Sequence, residues 1–74
     1  MQESLTCFAA RLKLLREERG MTQRRMGELI NCSASNYQKM EYGQVNIPIL
    51  TLCTLADYFG VTTDYLLGRS DRRT

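Results

Sequence analysis

Apolar residues recur along the chain at intervals of three and four, the spacing that places them on one face of an α-helix. The first such segment has four of them on one face: Leu5, Phe8, Leu12 and Leu15. It is expected to begin near Ser4 or Thr6 and to end at Arg19, where Gly20 acts as a stop. Arg16 falls on the edge of this apolar face.

A second predicted helix starts after Thr22, an N-cap residue, and turns three side chains inward: Met26, Leu29 and Ile30. Gly27 allows another backbone to approach this helix closely. Asn31 tolerates the left-handed conformation that a sharp turn between helices needs. We therefore expect a corner at residues 30–32 and a third helix capped by Ser33, which stops at Gly43.

Two further helices complete the pattern. The fourth has Pro48 in its first turn, ends at Gly60 and buries four residues: Leu52, Leu55, Ala56 and Phe59. The fifth is short and capped by Thr62, with Asp64 favourably placed in its first turn. No strand is predicted. The pattern indicates an all-α, five-helix domain over residues 1–68, followed by a mobile basic tail at 69–74.

The third helix divides into two faces when it is projected at 100° per residue. One face, expected to be buried, carries four residues: Ala34, Tyr37, Met40 and Glu41. The outer face carries four others: Ser35, Gln38, Lys39 and Tyr42. Their hydroxyl, amide and ammonium groups suit base edges and phosphates in a major groove. The alternative is an ordinary solvated face, and this helix alone does not decide between them.

Arg24 and Arg25 lie in the first turn of the predicted second helix. A cation there loses about 0.3–1 kcal/mol against the helix dipole, so acidic residues would be the stable choice. A bound anion such as DNA phosphate would reverse the sign of this cost. The alternative is that both arginines pair with Glu28, three and four residues further on.

Charge is spread unevenly over the 74 residues, although the net charge is only +2. Residues 1–45 hold seven Lys and Arg against five Asp and Glu, residues 46–68 hold none against two, and residues 69–74 hold three against one. A chain of this length forms one small domain that buries about 60% of its unfolded surface. The basic groups therefore belong to particular elements of that domain.

The three cysteines and the absence of histidine exclude several kinds of site. Cys7, Cys32 and Cys53 form no Cys-x-x-Cys motif, so a structural metal is not expected. Cys32 and Cys53 are predicted to be small buried hydrophobes in a reducing compartment. Without histidine, paired carboxylates or a glycine-rich phosphate loop, the sequence predicts no enzyme and no cofactor.

The chain also has no apolar run of 18 residues and no signal-peptide pattern at its N-terminus. We therefore expect a soluble cytoplasmic protein with no membrane partner.

Three segments resemble the Cro and phage-repressor type of helix-turn-helix DNA-binding domain, often called Xre-like: RLKLLREERGMTQ, INCSASNYQKMEYG and TLADYFGVTTDYLLG. Their order and spacing fit across roughly residues 8–68. The resemblance implies a compact five-helix bundle of the lambda-repressor-like type with a central helix-turn-helix. Its recognition helix, Ser33 to Tyr42, would lie in the major groove of a double-stranded DNA operator.

The resemblance also assigns roles to single residues. Four match the family's base-reading positions: Ala34, Ser35, Gln38 and Lys39. Five match positions near the sugar-phosphate backbone: Thr22, Gln23, Asn36, Tyr42 and Gly43. Arg24 and Arg25 stand where the family usually has acidic residues, and they should add phosphate attraction. Arg16 and Glu41 match an internal ion pair that would fix the third helix against the first.

Two further departures concern Asn31, where the family usually has glycine, and Tyr37, where it has a branched aliphatic residue. Asn31 keeps the left-handed conformation accessible, whereas a buried Tyr37 needs a hydrogen-bond partner for its hydroxyl. Direct readout is expected to use Gln38 toward adenine, Lys39 toward guanine and Ala34 toward a thymine methyl. Part of the specificity would then come from DNA shape.

The resemblance finally implies a two-fold dimer around Val61, Thr63 and Tyr65, with half-sites about 34 Å or a multiple apart. The leading hypothesis is a sequence-specific transcriptional regulator, a repressor of phage or mobile-element type. The alternative is a protein-interaction or antitoxin-like module with weak or no DNA binding. The short side chains of Ala34 and Ser35 and the modest net charge support that alternative.

Overall fold

Five α-helices follow one another in the computed structural model, which describes residues 2–74 and side chains from residue 4 onward. They are α1 Gln2–Glu18, α2 Gln23–Leu29, α3 Ala34–Glu41, α4 Ile49–Phe59 and α5 Thr63–Leu66. No strand occurs within this described part, so the predicted all-α, five-helix fold is confirmed. None of its helices is both long and apolar enough to cross a membrane.

Side-chain caps begin three of the helices at the residues predicted from the sequence. The hydroxyl oxygens of Thr22, Ser33 and Thr62 accept hydrogen bonds at 3.0, 3.1 and 2.9 Å from the backbone N–H three residues ahead. The predicted start of α1 was wrong, since this helix has already begun at Gln2. Glutamine and glutamate at positions 2 and 3 are good helix formers, so the helix extends beyond Ser4.

The core lies between α1, α3, α4 and α5, with Met26 entering from α2. Six side chains are the largest of those that are fully buried: Phe8, Leu12, Met26, Tyr37, Leu55 and Leu66. Leu29 and Ile30 pack against this cluster while remaining partly exposed. Leu52 of α4 is likewise partly exposed and packed against the cluster, so the inward faces expected for α2 and α4 are present.

A tight corner joins α2 to α3. Asn31 adopts the left-handed conformation, with φ at 60°, as the sequence predicted. The N–H of Cys32 donates to the carbonyl of Gly27 at 2.8 Å, so the chain turns directly against α2. A Cβ atom on Gly27 would lie 2.8 Å from the Cys32 carbonyl oxygen, and therefore only glycine permits this approach.

Cys53 is exposed, and its predicted burial was wrong. The buried stripe of α4 consists of Leu55, Ala56 and Phe59, and Cys53 lies beside Ile49 and Leu50 on the opposite, solvent-facing side. Cys32 is half-buried and packs against the core. Burial also raises the pKa of its thiol.

The segment 69–74, expected to be mobile, lies against α1 and α5. Arg11 donates to the Ser70 carbonyl at 2.6 Å and contacts the Asp71 carboxylate at 2.9 Å. Arg73 donates to both carboxylate oxygens of Glu18, at 2.9 and 2.8 Å. Its own carbonyl accepts from the N–H of Thr62 at 2.8 Å. Mobility stays a prediction, and any release of the tail must break these contacts.

Candidate nucleic-acid interface

The outer face of α3 is exposed to solvent, and α2 packs against α3. Four of its residues are exposed: Ala34, Ser35, Asn36 and Lys39. Gln38 is half-buried, and Tyr42, which ends the helix, is 60% exposed. The projection placed Ala34 on the buried face, which was wrong, because the first turn of α3 extends past the edge of the core.

No acidic group is exposed on α3. Its only carboxylate belongs to Glu41, which is 7% exposed and faces the core. The exposed groups of this helix are thus a hydroxyl, amides, an ammonium and a methyl. Such a face attracts rather than repels a polyanion, and it offers hydrogen-bond donors and acceptors to base edges.

Glu41 forms an ion pair with Arg16, which fastens α3 to α1. Arg16 Nε lies 2.6 Å and Nη2 lies 3.2 Å from the two carboxylate oxygens. Arg16 Nη1 also donates to the carbonyl of Met21 at 2.8 Å, just before α2 begins. One guanidinium therefore contacts α3 and the α1–α2 connection, so it sets the position of both helices of the corner.

Tyr37 contacts the same ion pair from the core. Its side chain is fully buried, and its hydroxyl donates to Glu41 Oε2. The pKa of the Tyr37 hydroxyl is raised, chiefly because the group is buried and secondly because it donates a hydrogen bond to Glu41. The partner that the sequence required for a buried Tyr37 hydroxyl is thus the carboxylate one helical turn later.

The Glu41 carboxylate remains ionised at neutral pH in spite of its position. Burial alone raises its pKa, but hydrogen bonds from Arg16, Tyr37 and Gln23 outweigh burial and bring the pKa below its ordinary value. Among the described side chains no buried nitrogen or oxygen atom lacks a hydrogen-bond partner. The buried polar network is therefore fully satisfied, as a low-dielectric site requires.

Gln23 links this network to the outer face of α3 through a contact that the sequence pattern does not predict. Its Nε2 donates to Glu41 Oε1 at 3.3 Å, and its Oε1 accepts from Gln38 Nε2 at 3.0 Å. The only sequence signal is that both glutamines belong to the two helices of the corner. Their distance in space depends on how α2 crosses α3, which periodicity does not specify.

Arg24 and Arg25 both reach Glu28, the alternative that the sequence left open. The closest approaches are 3.8 Å for Arg24 and 3.4 Å for Arg25. Their side chains are nevertheless 84% and 64% exposed, and pairs this exposed contribute only about 0.2–1 kcal/mol. Both guanidinium groups therefore stay accessible to an anion.

The remaining expected backbone-contacting residues lie around the same surface. Thr22 and Asn36 are exposed near the starts of α2 and α3, where the Thr22 hydroxyl oxygen and the Asn36 N–H already serve helix caps. Gly43 follows Tyr42 with φ at 69°, so it turns the chain away from the end of α3. The hydrogen bond from Gln38 Nε2 to Gln23 Oε1, at 3.0 Å, joins an expected base-reading residue of α3 to an expected phosphate-binding residue of α2.

The expected dimer residues lie elsewhere, at the start of α5. Val61 and Thr63 are half-buried, whereas Tyr65 is only 6% exposed. The guanidinium of Arg11 lies 4.3 Å from the centre of the Tyr65 ring, and that of Arg73 lies 5.4 Å from it. A dimer that uses Tyr65 would therefore have to displace part of the tail.

The amino-acid sequence of this chain is similar to those of known proteins. The family model of the helix-turn-helix domain matches residues 8–67. The SPbeta prophage-derived uncharacterized HTH-type transcriptional regulator YonR of Bacillus subtilis is 37% identical over 60 residues, which cover 81% of this chain and 56% of that protein. The HTH-type transcriptional regulator ImmR of the same organism is 34% identical over 61 residues, covering 82% of this chain and 48% of ImmR.

A third relative is the HTH-type transcriptional regulator PrpR of Mycobacterium tuberculosis, 34% identical over 70 residues. That match covers 95% of this chain but 14% of PrpR. The chain thus spans about half the length of YonR and ImmR and a small part of PrpR. No solved structure matches the chain significantly.

Proposed function

Because the chain belongs to the helix-turn-helix domain family, we propose that it is a sequence-specific double-stranded DNA-binding transcriptional regulator, a repressor of phage or mobile-element type. The observation that carries this proposal is the outer face of α3, which exposes hydrogen-bonding groups and no carboxylate. The helix would lie in the major groove, with α2 crossing the DNA backbone above it. The two relatives from Bacillus subtilis are named as transcriptional regulators, one of them prophage-derived.

Four residues of α3 are proposed to meet the bases: Ala34, Ser35, Gln38 and Lys39. Lys39 carries the only cation of α3 and would donate to the acceptors O6 and N7 of guanine. The methyl group of Ala34 would contact a thymine methyl, and Gln38 would read adenine. Because Ala34 and Ser35 reach only a short distance, DNA shape would contribute to specificity.

Seven residues around this face are proposed to hold the sugar-phosphate backbone: Thr22, Gln23, Arg24, Arg25, Asn36, Tyr42 and Gly43. Arg24 and Arg25 can exchange their weak, exposed contacts with Glu28 for phosphates. Such contacts would set the register of α3 in the groove without carrying sequence information themselves.

A two-fold dimer is proposed to bind the operator, as a palindromic site with half-sites about 34 Å or a multiple apart would require. The contact would form around Val61, Thr63 and Tyr65 at the start of α5. The proposed place of action is the cytoplasm of a bacterium, on the nucleoid. No catalytic step and no cofactor form part of this function.

Selection from a pool of random duplexes at several salt concentrations tests the proposal. We expect the retained pool to contain an enriched palindromic motif and the affinity to fall steeply with salt. Lys39→Ala should cost about 1–3 kcal/mol of specific binding and relax the preference at one base pair, whereas Arg24→Ala should weaken all sequences alike. If Lys39→Ala returned the wild-type motif, the base contacts assigned to α3 would be wrong.

Binding to a protein partner is the second candidate function. It is favoured by Ile49 and Leu50, which are 77% and 80% exposed on one side of α4. An antitoxin-like module would use this apolar surface and would bind DNA weakly or not at all. The same selection separates the two functions, because a protein-binding module would return no enriched motif and no salt-dependent retention.

A further inference from the structure

The segment 69–74 is held against the rest of the domain at two points, and the first of them is an anchor made to backbone atoms. Arg11 of α1 donates to the backbone carbonyl groups of Tyr65 and Ser70, the second at 2.6 Å. The Arg11 side chain is only 21% exposed. The beginning of the segment is therefore fixed by a largely buried guanidinium.

The second point of attachment is at Arg73 and is more exposed. Arg73 donates to both carboxylate oxygens of Glu18, at 2.9 and 2.8 Å, and both side chains are 43% exposed. An ion pair this exposed is weak and is screened by salt. Residues 72–74, which we call the latch, can therefore detach while Arg11 still holds the beginning of the segment.

The latch lies across the expected dimer residues. The carbonyl of Arg73 accepts a hydrogen bond at 2.8 Å from the N–H of Thr62, the residue between Val61 and Thr63. The Arg73 guanidinium lies 5.4 Å from the centre of the Tyr65 ring, and Tyr65 is 6% exposed. The latch thus occupies part of the surface on which a second chain would have to pack.

A two-fold dimer uses the same surface patch of both chains. Two latches must consequently open before one such contact can form. When only the open form of a chain can pair, its apparent affinity is reduced by the fraction of chains that are open. Because this fraction enters once for each chain, a weak latch has a squared effect on the dissociation constant of the dimer.

We infer that the latch is an autoinhibitory contact, which weakens the pairing of two chains through the start of α5. The inference rests on the proposed function, since it requires the proposed two-fold dimer. It adds a regulatory step to that function. The latch sets the protein concentration at which the dimer forms, and the exposed pair of Arg73 with Glu18 is its adjustable part.

The experiment measures the dissociation constant for pairing of the chain without DNA, by sedimentation equilibrium over a range of protein concentrations. Arg73→Ala is the main variant, and Glu18→Ala breaks the same ion pair from α1. Arg72→Ala is the matched control, because it removes the same charge from the neighbouring exposed residue of the latch. Thermal melts establish that each variant is folded at the temperature of the measurement.

Arg73→Ala and Glu18→Ala should each lower the dissociation constant by about 2- to 30-fold. An exposed ion pair is worth about 1.4- to 5-fold in an equilibrium, and this factor applies once for each of the two chains. Arg72→Ala should leave the dissociation constant unchanged. The difference between Arg72→Ala and Arg73→Ala should shrink as salt is raised, because salt screens the ion pair that only the control retains.

Exchange of the two charges gives an independent readout. The double variant Glu18→Arg/Arg73→Glu restores an ion pair of reversed polarity, so its dissociation constant should return toward that of the wild type. A merely general effect of charge on pairing would not be restored in this way.

Pairing that is unchanged, absent or weaker in folded Arg73→Ala and Glu18→Ala would overturn the inference. Weaker pairing in both would make the latch a part of the dimer contact instead of its competitor. Failure of the proposed function is a different result, in which selection with random duplexes returns no enriched motif, whereas pairing is measured without DNA.

Discussion

Glu41 is the residue on which the site depends most. Its carboxylate accepts four hydrogen bonds, two from Arg16 and one each from Tyr37 and Gln23. Such a buried pair contributes little net stability compared with apolar side chains, but removing one partner is costly because a buried charge is left behind. We therefore regard this network as the device that holds the outer face of α3 in one orientation.

Removal of the Tyr37 hydroxyl tests the network at a single bond. Tyr37→Phe should lower the free energy of unfolding by about 1.5–3 kcal/mol, since a hydrogen bond to a charged group is lost in the core. Tyr58→Phe is the matched control, because the hydroxyl of Tyr58 lies 3.5 Å from the Met21 sulfur on the surface. Denaturant unfolding of both variants gives the comparison, and equal stability of the two would argue against the buried bond.

The pH dependence of stability follows from the lowered pKa of Glu41. A carboxyl whose folded pKa lies below its unfolded value of about 4.3 stabilises the fold above that value, and this contribution is lost as pH falls through the folded pKa. The melting temperature should thus fall as the pH is lowered from 5 to 2.

Glu41→Gln should melt at a lower temperature at pH 7 and should depend less on pH than the wild type below pH 5. Some dependence should remain, because the hydrogen bond from Arg73 also lowers the pKa of Glu18. Parallel melting curves for the variant and the wild type against pH would show that Glu41 does not provide the acid sensitivity.

The sequence predicted the residues of the buried network better than it predicted their hydrogen-bond partners. Arg16 and Glu41 could be anticipated because Arg16 lies on the edge of an apolar face, Glu41 lies on the inward face of α3, and both match the family pattern. The buried Tyr37 hydroxyl required a partner, and the partner is one turn away on the same helix. Gln23 and Gln38 could not be paired in advance, because that contact depends on the crossing of α2 and α3.

The corner between α2 and α3 is the decisive feature among the elements. Local signals predicted it well: the Thr22 and Ser33 caps, the left-handed Asn31 and the small Gly27 each act within a few residues of the chain. Local signals of this kind do not predict whether a side chain is buried or exposed when its burial depends on how one helix packs against another. Cys53 illustrates the point, since only the docking of α4 determines which edge of its apolar stripe is covered.

Gly27→Ala should open this corner. Alanine normally stabilises a helix interior relative to glycine by about 1 kcal/mol, but here its Cβ would lie 2.8 Å from the Cys32 carbonyl oxygen. Overpacking of this kind costs about 1–3 kcal/mol, so the variant should be less stable and should bind the selected operator more weakly.

Gly60→Ala provides the control for the corner variant. It places a side chain at φ 66° with nothing within 4 Å, so it should destabilise the fold by backbone strain alone, about 1–2 kcal/mol. Operator affinity, measured well below both melting temperatures, should be unchanged in Gly60→Ala. A Gly27→Ala protein with wild-type stability and affinity would show that the corner does not need close approach.

Across the whole molecule, different helices expose different kinds of side chain. Three exposed cations and several hydrogen-bonding groups lie on α2 and α3, the exposed apolar residues Ile49 and Leu50 lie on α4, and the expected dimer residues lie at the start of α5. The tail was the least predictable part. Its mobility stays a prediction, and the sequence gives no signal for the contact of Arg73 with Glu18, 55 residues away.

A charged substitution tests the proposed dimer. Thr63→Lys should place a cation in the two-fold contact, so that one chain instead of two binds each operator duplex in sedimentation velocity. Thr54→Lys, at an exposed position of α4, should still give two chains per duplex. If Thr63→Lys also retained two chains, the dimer contact would lie elsewhere on the molecule.

Nuclear magnetic resonance can show directly which helix of the chain contacts DNA. Backbone amide signals of the isotope-labelled chain are followed during titration with the selected duplex. We expect the largest changes at residues 22–25 and 33–43, with small changes along α4. Changes concentrated around Ile49 and Leu50, with α3 unaffected, would contradict the claim that the outer face of α3 reads DNA.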